Sequence, residues 1–335
     1  MLPKSFMRSV IVVLVTGLGV SAASAQRLSG RVKVDGSSTV APIMMAAAEM
    51  YGEQEPRVQV TVGISGTGGG FKKFLEQRAD LRTDISDASR PIKASERELA
   101  AKFGIEYIEI PIAYDGIAVV IHPDNNWCKD LTVEELRRIW SPNSQIRNWS
   151  QIRSGFPDVP LKLYGPGPDS GTFDYFVEAI VEKEKACRND YTASEDDNVL
   201  VQGVTGDKGG LGYFGFSYYV ANKSRLGLVA ITGEGGKPVK PSVETIRNGT
   251  YSPLSRPMFI YVNKEASYRP EVKGFVNFLI DNAVKIVEHP TVSYVGLSSE
   301  LYAAGRERFA KGITGSVFAT PDAAGKSLEQ VYLGR

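Results

Sequence analysis

Three short stretches of this chain place hydroxyl side chains and glycine where a helix should begin. They are Gly36-Ser37-Ser38-Thr39-Val40-Ala41-Pro42, Ser65-Gly66-Thr67-Gly68-Gly69-Gly70-Phe71 and Asp169-Ser170-Gly171-Thr172-Phe173. A helix start presents unpaired backbone N–H groups and the positive end of the macrodipole, so it attracts an anion without needing a full positive charge. Hydroxyls add donors that rotate, and glycine lets the backbone approach closely. Serine and threonine are also ordinary helix caps, so one such motif says little. Three in one chain point to a single anion held where several helix starts converge.

The elements that must position these motifs alternate between strand-like and helix-like runs, which predicts an α/β fold. Strands are expected over 31–34 and 58–62, each leading into a hydroxyl motif, and helices over 43–51, 71–78 and 172–186. Further helices are expected over 95–103, 132–140 (with Thr132 and Glu135 as a capping box), 199–205 and 268–288. The last should bury Val272, Phe275, Phe278, Leu279 and Val284. Strands over 107–110 and 117–121 are separated by Pro111 and Gly116, which marks a hinge, and a strand over 257–262 can return the chain across it. Tyr213, Phe214, Phe216, Tyr218 and Tyr219 read as core or hinge packing.

The first residues have the form of a secretory signal peptide. Lys4 and Arg8 precede an apolar run over 10–20, and Ala23-Ser24-Ala25 is a small-residue cleavage site. Cutting before Gln26 removes two basic residues and no acid, so the formal charge moves from +1 to −1. No cysteine follows that cut, so a lipid anchor is not indicated, and the apolar run is short for a membrane span. With 39 Lys and Arg against 38 Asp and Glu there is no basic excess to suggest nucleic acid. The remaining 310 residues exceed one comfortable core, which predicts two domains. Cys128 and Cys187 are expected to form a disulfide in an oxidising compartment, with two buried free thiols as the alternative. His122 and His289 each precede a proline and lack acid partners at useful spacing; CxxC and His-rich patterns are absent. Glu195-Asp196-Asp197 could hold a metal but reads better as a solvated helix start. No metal or cofactor is therefore expected.

The ordered motifs, together with Asp84-Ile85-Ser86-Asp87-Ala88-Ser89-Arg90-Pro91, Tyr191-Thr192-Ala193-Ser194-Glu195-Asp196-Asp197-Asn198, Gly210-Leu211-Gly212-Tyr213-Phe214 and Tyr294-Val295-Gly296-Leu297, resemble the phosphate-binding proteins of phosphate ABC transporters. The match spans about 30–300. It implies a two-lobed periplasmic binding protein of the type II-like kind, each lobe a mixed sheet flanked by helices, joined by two hinge crossings. Lobe 1 would comprise 26–115 and 263–335, and lobe 2 would comprise 116–262. Such a protein closes on inorganic phosphate in the periplasm, is expected to be a monomer rather than an enzyme, and delivers its ligand to a membrane permease. The resemblance carries over Ser38, Thr39, Thr67, Gly68, Ser170, Gly171 and Thr172 as hydroxyl and amide donors. Two departures stand out. Well-known members have a carboxylate where this chain has Ser89, and an arginine shortly before the Ser-Gly-Thr motif, where this chain has Gly165-Pro166-Gly167-Pro168. Arginine follows Ser89 instead, as Arg90, in a pattern associated with a separate branch.

Phosphate at neutral pH carries a residual proton and sulfate does not. A site that separates them needs an acceptor among its donors, since an unmatched buried polar group costs about 1–3 kcal/mol. Ser89 can accept, and Asp87 and Asp169 are the nearest carboxylates; Asp169 could instead pair with Arg90. Arg90 is the one strong cation at the motifs, and its planar fork suits a tetrahedral oxyanion, although it could also be a surface charge beside a turn proline. The same clamp could take sulfate, molybdate or tungstate. An exported phosphatase using Ser38 or Ser170 is the other class, but neither serine has a histidine base nearby in sequence.

Overall fold

The computed structural model describes residues 28–168, 170–182, 187–233, 236–320 and 326–334. The expected signal peptide and Asp169 lie outside the described residues. Three strand–helix steps open the chain: β1 (Gly30–Gly36) and α1 (Ala41–Gln54), β2 (Val58–Ile64) and α2 (Gly66–Phe74), β3 (Ile85–Ala88) and α3 (Ala94–Lys102). There follow β4 (Tyr107–Ile121), β5 (Asp130–Thr132), α4 (Val133–Trp140), β6 (Lys162–Gly165), α5 (Gly171–Phe176), β7 (Thr192–Ala193), α6 (Asp197–Gly206), β8 (Gly210–Gly215) and α7 (Phe216–Asn222). Three short strands, β9 (Gly227–Leu228), β10 (Ala230–Thr232) and β11 (Pro238–Val239), lead through α8 (Val243–Arg247) to β12 (Ser255–Asn263). The chain then continues through α9 (Pro270–Asp281), α10 (Ala283–Val287), α11 (Ser299–Lys311) and α12 (Leu328–Leu333).

The main sheet is mixed, in the order β2-β1-β3-β12-β4-β8-β6-β7, with β9 beside β4. β1 lies parallel to both β2 and β3, and the register sets Gly36 beside Ile64 on one side and Asp87 on the other. The first two hydroxyl motifs and the Asp87–Arg90 turn therefore leave the sheet at one edge, the carboxyl ends of parallel strands where ligands collect in open α/β sheets. One core packs Val32 and Val34 of β1 against Ile43, Met44 and Ala47 of α1 and Val272, Phe275 and Leu279 of α9. A second core holds Trp140, with Phe176 and Tyr213 stacked beside it at 3.7 Å. Tyr213 and Phe214 are fully buried, as core packing requires.

β4 departs from the expected pair of strands. It is one continuous buried strand of 15 residues. From Tyr107 to Gly116 it pairs antiparallel with β12, and from Ile117 to Ile121 with β8. Pro111 lacks an N–H and is accommodated where the β12 register shifts between Met258 and Phe259. The proline therefore marks a bulge and leaves the strand unbroken.

Other departures have equally local causes. The expected 268–288 helix breaks at Asn282 into α9 and α10, and Val284 is 50% exposed rather than buried. Of the helix expected over 172–186, residues 183–186 lie outside the described residues; the rest runs as α5 and then widens into a π-turn over Val177–Val181, followed by Glu182 in the left-handed region. The Thr132–Glu135 capping box forms as expected, each side chain accepting from the other residue's backbone N–H.

The expected disulfide is absent: Cys128 and Cys187 are free thiols. Their surroundings differ, Cys128 lying near Arg153 and Asp130, and Cys187 near Arg188 and Tyr191. Burial pushes both thiols up, to about 12 and about 11, so each stays protonated and packs as a small apolar group.

α2 begins at Gly66, earlier than its apolar pattern suggests. Its glycines explain this, because a Cβ on Gly70 would lie 2.5 Å from Gly36 Cα and 2.7 Å from the Asp35 carbonyl oxygen. Only glycine lets this helix lie directly on the end of β1. Gly70→Ala should therefore destabilise the protein by about 1–3 kcal/mol. Gly68→Ala, which meets open space, should be neutral or stabilising by up to about 1 kcal/mol. Urea denaturation of the two variants checks this.

Candidate functional site

A cleft of about 690 Å³ opens at this sheet edge, and its lining includes Ser38, Thr39, Thr67, Gly68, Ser89 and Arg90. Six of the sequence-predicted residues thus share one space. Ser37, Ser65, Lys72, Lys93, Pro168, Asp174, Glu178 and Arg256 also line it.

The second motif forms the clearest donor surface. Ser65 stands at the N-cap of α2 yet makes no cap bond, because its hydroxyl is turned onto Asp35 Oδ1. Asp35 also accepts from Lys73 Nζ at 2.5 Å. The first amides of α2 therefore have neither an intrahelical partner nor a side-chain cap, and Gly66, Thr67 and Gly68 face the cleft. Thr67 Oγ1 lies 3.2 Å from Ser89 Oγ and accepts from Ser89 N at 3.3 Å, which ties the second motif to the Asp87–Arg90 turn.

The first and third motifs meet each other. Thr39 Oγ1 donates to the Gly171 carbonyl at 3.3 Å, and Ser38 Oγ donates to Asp174 Oδ2 at 3.3 Å. A Cβ on Gly171 would fall 2.7 Å from Thr39 N and Cα, so this contact also requires glycine. Ser170 and Thr172 adjoin the contact, but the Ser170 hydroxyl is used as a cap, accepting from Thr172 N at 3.2 Å. Tyr294, from the C-terminal resemblance motif, donates to the Thr39 carbonyl at 2.8 Å.

Asp87 is completely buried behind the first motif. Its Oδ1 accepts from Ser37 N at 2.5 Å, and its Oδ2 has no hydrogen-bond partner. Burial, reinforced by the neighbouring Asp35 charge and opposed by the Ser37 bond, raises its pKa to about 8.

Arg90 lines the cleft but is already committed. Its two Nη atoms donate to Glu96 at 2.9 and 2.8 Å, Nη1 also reaches the Pro91 carbonyl, and its guanidinium lies 5.5 Å from the Phe71 ring centroid. Arg256, which sequence reasoning missed, enters the cleft from β12. Its Nη2 donates to Thr39 Oγ1 at 2.8 Å and its guanidinium is paired with Asp115. Local sequence around Arg256 gives no sign of this, since Thr39 is 217 positions away.

Other candidates resolve into structural roles. Asp196 caps α6 by accepting from Asn198 N at 2.9 Å, and Asp197 is raised to about 7 by burial and its acidic neighbours. Among the described residues no cluster of three His, Cys, Asp or Glu is arranged to hold a metal ion. His122 and His289 bond within their own turns. Ser38 has a carboxylate partner and Ser170 a backbone one, so neither has the imidazole that would activate a serine nucleophile. No helix among the described residues is long and apolar enough to cross a membrane.

Comparison with known proteins agrees with this geometry. The family model of the PBP superfamily domain matches residues 21–283. Protein SphX of Synechococcus elongatus is 48% identical over 92% of this chain and 89% of its own length. The phosphate-binding protein PstS of Staphylococcus haemolyticus is 37% identical over 82% and 84%. The crystal structure of a possible phosphate binding protein from Planctomyces limnophilus superposes with a TM-score of 0.80 at 43% identity, covering 85% of this chain and 99% of that one.

The protonation of Asp87 gives a test of the site's electrostatics. Its folded pKa lies above the ordinary 3.8, so its contribution to stability is full below about pH 4 and is lost as pH rises through about 8. Asp87→Asn lacks this loss. In ligand-free protein, the melting temperature of the variant relative to the parent should rise from pH 5 to pH 9, measured by thermal denaturation across that range.

Proposed function

The chain belongs to the PBP superfamily, among the substrate-binding proteins of phosphate ABC transporters, and from that premise we propose that it captures inorganic phosphate outside the cytoplasm and delivers it to a permease. The observation that carries this reading is the meeting, in one cleft, of the uncapped start of α2 with the hydroxyls of Ser38, Thr39, Thr67 and Ser89.

The clamp has lobe 1 in 26–115 and 263–335 and lobe 2 in 116–262. β4 and β12, which pair with each other, are the two crossings. The first two motifs and Ser89 hold the ion from lobe 1, and Ser170, Gly171 and Thr172 close on it from lobe 2. Closure is favoured by the ligand because only the closed state gives the ion its full set of donors. Micromolar affinity needs about −8 kcal/mol. A handful of charge-assisted hydrogen bonds at about 1.5–3 kcal/mol each exceeds that before desolvation and closure are subtracted. A hydroxyl-and-amide site therefore suffices without a metal.

Discrimination against sulfate falls to a proton shared between ligand and protein. Of the acceptors named from sequence, Asp87 is buried behind Ser37, away from the cleft lining, and is held protonated up to about pH 8, so the role falls to Ser89, whose hydroxyl lines the cleft. The protein is exported by cleavage after Ala25, carries no lipid anchor, acts as a periplasmic monomer and turns over no substrate.

Calorimetry on phosphate-stripped protein should give micromolar or tighter binding of phosphate and much weaker binding of sulfate, molybdate and tungstate. Thr67→Ala and Ser170→Ala should each weaken phosphate by about 1–3 kcal/mol, roughly 5- to 150-fold, because neighbouring amides remain. No heat with phosphate, or equal affinity for sulfate, would contradict the proposal.

A further inference from the structure

With Arg90 paired to Glu96, the other cations lining the cleft are Lys72 and Lys93, both exposed, and Arg256, which is mostly buried. We propose that Arg256 is the cation that meets the bound oxyanion and that Asp115 is the residue that positions it. This rests on the anion-binding reading given above.

Arg256 faces the cleft, yet its side chain is only 13% exposed. It stands on β12 in direct register with Asp115 on β4, so the pair joins the two crossing strands. Nε and Nη2 both reach Asp115 Oδ2, at 3.4 and 3.3 Å, and the Tyr175 ring centroid lies 3.6 Å from the guanidinium carbon. Nη2 donates onward to Thr39 Oγ1. Nη1 has only Glu178 at 3.9 Å, too long for a hydrogen bond and toward a carboxylate that is 66% exposed. A planar fork is thus fixed along one edge and one face, beside a residue of the anion cradle, with the donors of Nη1 unspent. Such a group binds an oxyanion with little further ordering.

Asp115 is fully buried, and its Oδ1 has no hydrogen-bond partner. Nε and Nη2 crowd one carboxylate oxygen instead of taking both, so the guanidinium is drawn off a two-oxygen fork and toward Thr39. When an oxyanion engages Thr39 and Nη1, the pairing at Asp115 can spread onto both oxygens. Ligand charge would then tighten the contact between β4 and β12. Arg90 is held differently: Glu96 takes its two Nη atoms with both carboxylate oxygens, so its charge is matched by a two-oxygen fork, with only Nε and one Nη2 proton left over.

Calorimetric titration of the full chain, stripped of ligand, with phosphate, sulfate and molybdate at low and high salt tests this. Arg256→Met should lower phosphate affinity at least about 100-fold, and the salt dependence of binding should flatten because one opposed charge has gone. Arg256→Lys should recover part of the affinity. Arg90→Met should bind within about threefold of the parent, as expected for a guanidinium that Glu96 holds with both carboxylate oxygens. Asp115→Asn should weaken phosphate about tenfold because the fork is no longer held in place, while the salt dependence steepens because Arg256 keeps its charge and the neighbouring negative charge is gone; unchanged binding would remove Asp115 from the account. Because Arg256→Met leaves a buried carboxylate unpaired, the double variant Arg256→Met/Asp115→Asn is the safeguard. If it folds by circular dichroism and binds phosphate within threefold of the parent, the assignment of Arg256 is overturned. A parent protein that binds none of the three oxyanions would instead overturn the anion-binding reading itself.

Discussion

Ser65 would be the natural cap of α2, and it is given to Asp35 instead. That hydrogen bond keeps the first turn of the helix open, because a serine that capped its own helix would occupy an amide on which the cleft depends. The same carboxylate holds Lys73 in the last turn, so Asp35 fixes α2 near both ends against β1. Gly70 completes the arrangement by letting the helix lie on Gly36 without a side chain between them. Donors for an anion are thus produced by packing, and the helix start is held rigidly at the carboxyl edge of the sheet.

The opposite wall depends on the strands that cross the sheet. β4 and β12 run side by side, and the side chains that project from them, Asp115 and Arg256, form a buried pair in register. Arg256 touches Thr39, which in turn touches Gly171. A short chain of contacts therefore links the crossing strands to the first hydroxyl motif and to the start of α5. Any displacement of α5 relative to Thr39 is felt at the crossing, a physical basis for coupling ligand contact to closure.

Much of this was legible in local sequence. The strands that deliver the hydroxyl motifs, the Thr132–Glu135 capping box and the aromatic core at Tyr213 and Phe214 follow from patterns of a few residues. What failed involved partners distant in sequence or competing uses of one side chain. Pro111 suggested a break because the bulge that tolerates it forms only against β12, about 150 residues later. Arg90 lines the cleft as its type and position suggest, and what local sequence does not reveal is that Glu96, six residues on, bonds both its Nη atoms, a pairing that depends on how the turn into α3 folds. Arg256 carried no local signal because its meaning comes from Thr39 and Asp115. An oxidising compartment does not by itself bring two side chains together, and Cys128 and Cys187 stay apart as free thiols.

The position of the bound ligand is the most direct test of this anion site. A crystal structure of the protein with phosphate bound should place the ion in contact at once with Ser38, the first amides of α2 and the start of α5, with the Arg256 guanidinium within hydrogen-bonding distance. Phosphate held by one wall alone, or outside the cleft, would contradict it.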